Sequence, residues 1–142
     1  MSGVNGVIYL SRAIVMKPLG RLLLAFSAIL LAIGAWIHAA GFGRMSAGVA
    51  KSDLSPFLGK GFKVLWLQDS TIAIVLAIVF AVVALRAAAG SKPVIVLLAL
   101  VPVVTAALTY YFIGNFFGGH IFLVAGIAAI LGALLYPVTK LL

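Results

Sequence analysis

The chain has 142 residues, of which 65% are hydrophobic and 8% are charged, whereas soluble domains are about 45–50% apolar and about 25% charged. A soluble fold of this length cannot bury so much apolar surface, so the composition excludes one and predicts an integral membrane protein. The net charge of +8 is carried at the ends of apolar segments and in loops, where it favours anionic lipid head groups over nucleic acid. Cysteine is absent, which excludes disulfide exchange and thiolate ligation of metals.

The amino-terminal segment, residues 1–20, mixes polar and apolar residues and predicts a short helix in the head-group plane, with residues 18–20 turning into the membrane. Basic residues before an apolar run resemble a secretory signal. The long preceding stretch and the continuation of the run to Phe42 favour an uncleaved first membrane helix. We place that helix at about residues 22–42.

The second membrane helix is predicted at about residues 63–85, closed by Arg86. The connection before it is long and partly polar. Within it, residues 51–62 keep a hydrophobic face beside Lys51 and Lys60, which predicts an amphipathic segment covering the adjacent end of the helices. The alternative is a plain interfacial linker.

The third helix is predicted at about residues 93–113, because Pro93 suits a first helical position and Ser91 can cap it. Pro102 removes an amide in mid-helix and predicts a kink. A connection of about six residues makes the third and fourth helices antiparallel neighbours. The fourth helix covers about residues 120–136, before Pro137.

These segments predict an all-α integral membrane protein: a single domain, residues 1–142, with four transmembrane helices in an antiparallel bundle. Small residues at regular spacing let helices approach closely in lipid. They could serve packing within one chain or between chains. The predicted packing residues are Ala73, Ala77, Ala81, Ala125, Gly126, Ala129, Gly132 and Ala133.

Polar residues of the four segments fall at the same predicted membrane surface. The candidates for binding a ligand or a proton are His38, Asp69, Tyr110 and His120. Helical phase places the first three inside the bundle and His120 nearer the interface. A carboxylate within a membrane segment costs free energy unless it is paired or protonated. Asp69 is therefore either a proton- or cation-binding group, or the partner of Lys63, Arg44 or His38 in a structural ion pair.

His38 has the same two interpretations, because an imidazole can bind a metal, a haem, a proton or a quinone, or can satisfy neighbouring backbone. The imidazoles of His38 and His120 are the only side chains that we consider as metal ligands, and no metal site is predicted. No resident cofactor is predicted either.

No hydrolase, metalloprotease or phosphate-loop motif occurs in the sequence, so we do not expect an enzyme. We expect a protein that acts by association, as an accessory or stabilising subunit of a larger membrane complex or as a homo-oligomer. The alternative is binding or transport of a quinone, lipid, proton or metal ion at the polar end. The expected partners are the bilayer and other membrane subunits or further copies of the chain.

Lysine and arginine predict orientation, since they are enriched on the cytoplasmic side. We expect a bacterial cytoplasmic (inner) membrane with both termini in the cytoplasm. Six basic residues lie on the side of the termini, at positions 12, 17, 21, 86, 92 and 140, against four at positions 44, 51, 60 and 63.

Overall fold

The structure, a computed structural model, describes residues 3–86 and 89–135, with side chains from Pro18 onward. All long regular elements in this part of the chain are helices. It contains α1 (Gly3–Ala40), α2 (Phe42–Ala50), α3 (Pro56–Leu85), α4 (Lys92–Phe112) and α5 (Phe117–Leu135). Four stretches are long and apolar enough to cross a membrane: Pro18–Ala50, Pro56–Leu85, Lys92–Phe112 and Phe117–Leu135.

The first helix differs from its prediction at the amino-terminal end. α1 continues from Gly3 through Pro18 to Ala40, so the predicted turn at residues 18–20 is wrong. Proline removes one hydrogen bond from a helix, and this loss is tolerated in membrane helices that pack on neighbours. Gly20 supplies such packing, because it lies against the backbone of α5 at Gly132.

The connection after α1 also differs from its prediction. Residues 56–62, predicted as part of a surface segment, form the first turns of α3. The Ser55 side chain accepts a hydrogen bond from the Leu58 amide at 3.3 Å, and Pro56 follows it at a first helical position, where its missing amide costs nothing. α2 packs on this early part of α3 at Gly59, where a Cβ would lie 3.1 Å from Val49 Cγ1.

The last two helices lie within a few residues of their predicted positions. α4 begins one residue earlier than predicted, and α5 begins at Phe117 instead of residue 120. Gly114, at φ 84°, turns the chain between them in a conformation that favours glycine. The predicted last residue of the fourth helix and Pro137 lie outside the described residues.

α1 is the central element of the packing. It lies along both α3 and α5, while α4 lies along α5 and meets α3 only slightly. Midway along α1, Arg21 donates from Nε to the Ala84 carbonyl at 2.6 Å and from Nη2 to the Leu85 carbonyl at 3.2 Å, at the end of α3. Near the end of α1, His38 contacts the middle of α3 at Ser70.

The core combines a few large side chains with many small ones. Leu24, Leu31, Phe80 and Ile95 are almost completely buried. Of the predicted packing residues, all are buried except Ala81, which is half-buried. Gly126, for example, lies against Val103 and the Ala99 carbonyl of α4. The small residues of α5 therefore pack against other helices of the same chain.

Candidate functional site: a histidine cluster and an open groove

The four predicted polar residues form two separate pairs. His38 lies beside Asp69, and Tyr110 lies beside His120. Among the described side chains no contact joins one pair to the other. Helical phase predicts Tyr110 inside the bundle together with His38 and Asp69. It pairs with His120 instead, because α4 packs along α5 and not along α1 or most of α3.

His38 is surrounded by three side chains of α3. Its Nδ1 shares a hydrogen bond of 2.9 Å with Ser70 Oγ. Its Nε2 lies 3.8 Å from Asp69 Oδ2, an ion-pair distance when the imidazole is protonated. The ring stacks on Trp66 at a centroid distance of 4.1 Å and an angle of 14°. We call these four residues, His38, Trp66, Asp69 and Ser70, the histidine cluster.

Hydrogen bonding to the backbone helps to position this cluster. His38 lies in the last turn of α1, where carbonyls lack partners within the helix. The His38 carbonyl accepts from the Gly41 amide at 3.1 Å, and the Trp66 indole donates a second hydrogen bond to it at 2.9 Å. Gly41 leaves room for the indole, because a Cβ there would lie 3.1 Å from Trp66 Cζ2. Trp66 thus holds the end of α1 in addition to contacting the imidazole.

Ser70, and not Asp69, occupies the interior position on this part of α3. Ser70 is buried, like Ala73 and Ala77, whereas 36% of the Asp69 side chain and 25% of the His38 side chain are exposed. At 100° per residue, Ser70 lies within about 60° of both alanines. The sequence signal for Ser70 was thus its phase with the alanine stripe. Asp69 lies at the edge of the interior, beside the imidazole.

The second pair joins the ends of α4 and α5. Tyr110 Oη and His120 Nδ1 share a hydrogen bond of 2.7 Å, with ring centroids 5.5 Å apart. His120 is exposed, and Gly119 lies so close to Tyr110 that a Cβ would be 2.8 Å from Cε1. This hydrogen bond joins the two helices across their short connection.

Other polar contacts that the sequence did not signal tie the helices together. Ser27 is buried and donates to the Ala125 carbonyl of α5 at 2.8 Å. Lys92 Nζ donates to the Leu134 carbonyl at 3.1 Å. Like Arg21, this lysine places a positive charge at the carboxyl end of a neighbouring helix, where the helix dipole favours it.

The histidine cluster can exchange hydrogen bonds and protons, but its setting does not suit acyl transfer. Ser70, His38 and Asp69 occur in the order of a nucleophile, a base and a carboxylate. Ser70 lies in the middle of α3, however, where backbone amides are used within the helix and none is left to stabilise an oxyanion. Within the described ranges, no group of three histidine, cysteine, aspartate or glutamate side chains could hold a metal ion.

An open groove runs beside the cluster along α1 and α3. It consists of two adjoining cavities, of about 410 Å³ and about 510 Å³, which share Ala32 and Ile74 as lining residues. The smaller cavity reaches Ala84 and Leu85, and the larger reaches Trp36, Ala39 and Ser70. We call this feature the α1–α3 groove. It extends from the Arg21 end of the pair to the histidine cluster.

Comparison of the chain with protein-family models, with curated proteins and with solved structures found no match.

Proposed function

We propose that the chain crosses a bacterial cytoplasmic membrane four times, as an antiparallel bundle with both termini in the cytoplasm. The contacts of α1 support this arrangement, since Arg21 meets the end of α3, whereas His38, nearer the carboxyl end of α1, meets the middle of α3 at Ser70. α5 has the same relation to α1, with Gly20 beside Gly132 and Gly34 beside Ile121. The excess of basic residues on the side of the termini supports the orientation.

Within this membrane we propose that the protein acts by association, as an accessory subunit of a larger complex or as a homo-oligomer. The observation that carries the proposal is the length of α3. Its 30 residues span about 45 Å, whereas the hydrocarbon layer is about 30 Å thick. α3 is thus long enough for its early turns, with α2 packed on them, to project beyond that layer.

The projecting part carries an exposed apolar surface. Phe57 is 82% exposed, Leu58 54%, Phe62 49% and Leu54 45%. We call these four residues the hairpin surface. Exposed apolar patches outside the hydrocarbon layer mark sites of protein–protein contact. Lys51, Lys60 and Lys63 lie nearby in the sequence and form a polar rim of the kind that surrounds interface cores.

Cross-linking tests the association directly, because the chain contains no cysteine and a single introduced thiol is unambiguous. Phe57→Cys, treated in native membranes with a short bis-maleimide, should give an adduct with a second copy or with another polypeptide. The matched control is Leu97→Cys, which is exposed on the outer face of α4 and should give none. A wild-type particle of one chain by native mass spectrometry, together with no adduct at residue 57, would contradict the proposal.

The histidine cluster favours a second candidate function, the binding of a proton or a small polar ligand such as a quinone, a lipid or a metal ion. Ser70 lines the α1–α3 groove and bonds His38, so a molecule entering from the bilayer reaches a hydroxyl backed by an imidazole and a carboxylate. Buried or half-buried ionisable groups in membrane segments commonly serve such pathways.

The test for this candidate is proton flux into liposomes that contain the purified protein and an enclosed pH-sensitive dye. Asp69→Asn and Ser70→Ala should reduce a wild-type flux while the protein still folds. Thr71→Ala is the control, since the Thr71 hydroxyl bonds only the Leu67 carbonyl of its own helix in the structure. Loss of stability in Ser70→Ala without any wild-type flux would leave the cluster with a structural role only.

A further inference from the structure

We propose that the α1–α3 groove holds an acyl chain of an anionic phospholipid, whose phosphate is bound by Arg21. The groove is an outward-facing channel of the helix pair and is separate from the hairpin surface. The proposal therefore stands independently of the association proposed above.

The dimensions of the groove suit a lipid tail. Its lining on α1 runs from Ala25 to Ala39, about 21 Å along a helix at 1.5 Å per residue. One leaflet contributes about 15 Å of a hydrocarbon layer of about 30 Å. A tail that enters beside Arg21 therefore remains within the groove for the full depth of its leaflet.

The lining of the groove is apolar over that depth. Alanines form its floor, and Ile29 and Ile78, each more than half exposed, form its walls. The polar lining residues, Ser70 and Thr71, come only in the farther cavity. Dispersion contacts along a chain-shaped channel are individually small but add up over its length.

Arg21 lies at the entrance in a fixed position. It precedes Ala25 by one helical turn, and its guanidinium is held on the carbonyls of Ala84 and Leu85, the residues that end the groove on α3. A guanidinium carries five N–H donors, and these two bonds use two of them. Since the residue is exposed, the remaining donors can bind a phosphate, which arginine does in a planar, two-pronged manner.

The charge distribution selects an anionic lipid over other occupants. Both acidic residues of the chain, Asp53 and Asp69, belong to the opposite end of the helices, while Arg86 and Lys92 belong to the Arg21 end. A zwitterionic lipid would bring a second positive charge to this end. A parallel second copy would bring the same basic edge, and like charges repel.

Native mass spectrometry with two lipids of identical acyl chains, phosphatidylglycerol and phosphatidylcholine, tests the proposal. A basic residue near a membrane surface contributes about 1 kcal/mol, which corresponds to roughly fivefold in affinity. Wild-type protein should retain phosphatidylglycerol at least about fivefold better. Arg21→Gln should lose this preference while its amide still donates to the carbonyls of α3. Arg44→Gln, in α2 at the opposite end, should keep it.

Filling the groove tests the site of the tail without changing charge. Ala32→Phe, at the junction of the two cavities, should reduce retention of both lipids. Ala107→Phe, at an exposed position on α4, should not. Because Ala32→Phe leaves Arg21 in place, it tests the groove even if Arg21→Gln fails to fold. Equal retention of the two lipids by the wild type, or equal effects of the two phenylalanines, would overturn the proposal. So would dissociation of a dimer by Ala32→Phe, because the groove would then hold a helix.

Discussion

Helices approach each other most closely at glycine residues, which have no side chain. At the crossing of α1 and α5, a Cβ on Gly20 would lie 2.9 Å from the Gly132 carbonyl oxygen and 3.1 Å from the Leu135 carbonyl carbon. Both are backbone atoms, so no rotamer change can make room. In lipid, where water does not drive apolar surfaces together, such contact through small residues is a main source of helix affinity.

Gly20→Ala should therefore lower the free energy of unfolding by about 1–3 kcal/mol, the usual cost of overpacking. Unfolding in mixed detergent micelles, followed by tryptophan fluorescence, measures it. Gly61→Ala is the matched control: it lies in α3 with nothing within 4 Å of the added Cβ, so the better helix propensity of alanine should stabilise by up to about 1 kcal/mol. Equal effects of the two substitutions would refute the crossing.

At this scale the sequence predicted which residues are small and regularly spaced, but not their partners. The spacing of Ala125 and Ala129 marks a stripe, and both are fully buried. Asp69 was a candidate because a carboxylate in a membrane segment is rare, yet Ser70 occupies the interior position. Trp66 stacks on His38, and no sequence signal marks this contact. Such pairings depend on helix rotation to within a few tens of degrees, which periodicity does not fix.

The helices differ from one another mainly in length. α3 is longer than α4 or α5 by about a third of its own residues, and the extra turns form the surface on which α2 packs. The start of α3 was predictable in retrospect from Ser55 and Pro56, a capping residue followed by a proline. The predicted start at about residue 63 was wrong because the first turns of α3 combine lysines with exposed apolar residues. This pattern is typical of an interfacial segment, but a helix that extends beyond the hydrocarbon layer has the same pattern.

The cap of α3 gives a prediction for this element. Ser55→Ala removes the acceptor of the Leu58 amide and should cost about 1 kcal/mol locally, so that the Leu58 and Gly59 amides exchange roughly fivefold faster in hydrogen–deuterium exchange. Ser91→Ala is the control, because Ser91 occupies the same position before α4 without a side-chain cap bond. Faster exchange at the start of α4, with none at the start of α3, would be inconsistent with this assignment.

The whole molecule is organised around α1, which contacts α3 on one side and α5 on the other. Composition was enough to predict a helical membrane protein with four apolar segments, because apolar length is a property of the chain alone. The order of the helices in space was not predictable. The order depends on which small residues face each other. The consecutive helices α3 and α4 hardly pack on each other, and no sequence pattern in either helix indicates this.

Single cysteines test the proposed path of the chain. A membrane-impermeant maleimide should label Gly61→Cys in intact bacterial spheroplasts and Ser91→Cys only after lysis, because α3 separates the two positions. Ile78→Cys, exposed on α3 between the two positions, should stay unlabelled in both. Labelling of residues 61 and 91 from the same side would contradict the crossing of α3, and the reverse pattern would invert the proposed orientation.

The position of α1 between α3 and α5 also has a consequence for biosynthesis. Ser27 of the first membrane helix bonds Ala125 of the last, and Gly20 meets Gly132, so one entire face of α1 has no partner from its own chain until the ribosome has made α5. During that interval α1 and α3 can pair, whereas α4 has only a slight contact with what precedes it. We expect the α4–α5 hairpin to enter as a late unit, whose arrival completes the fold in one step.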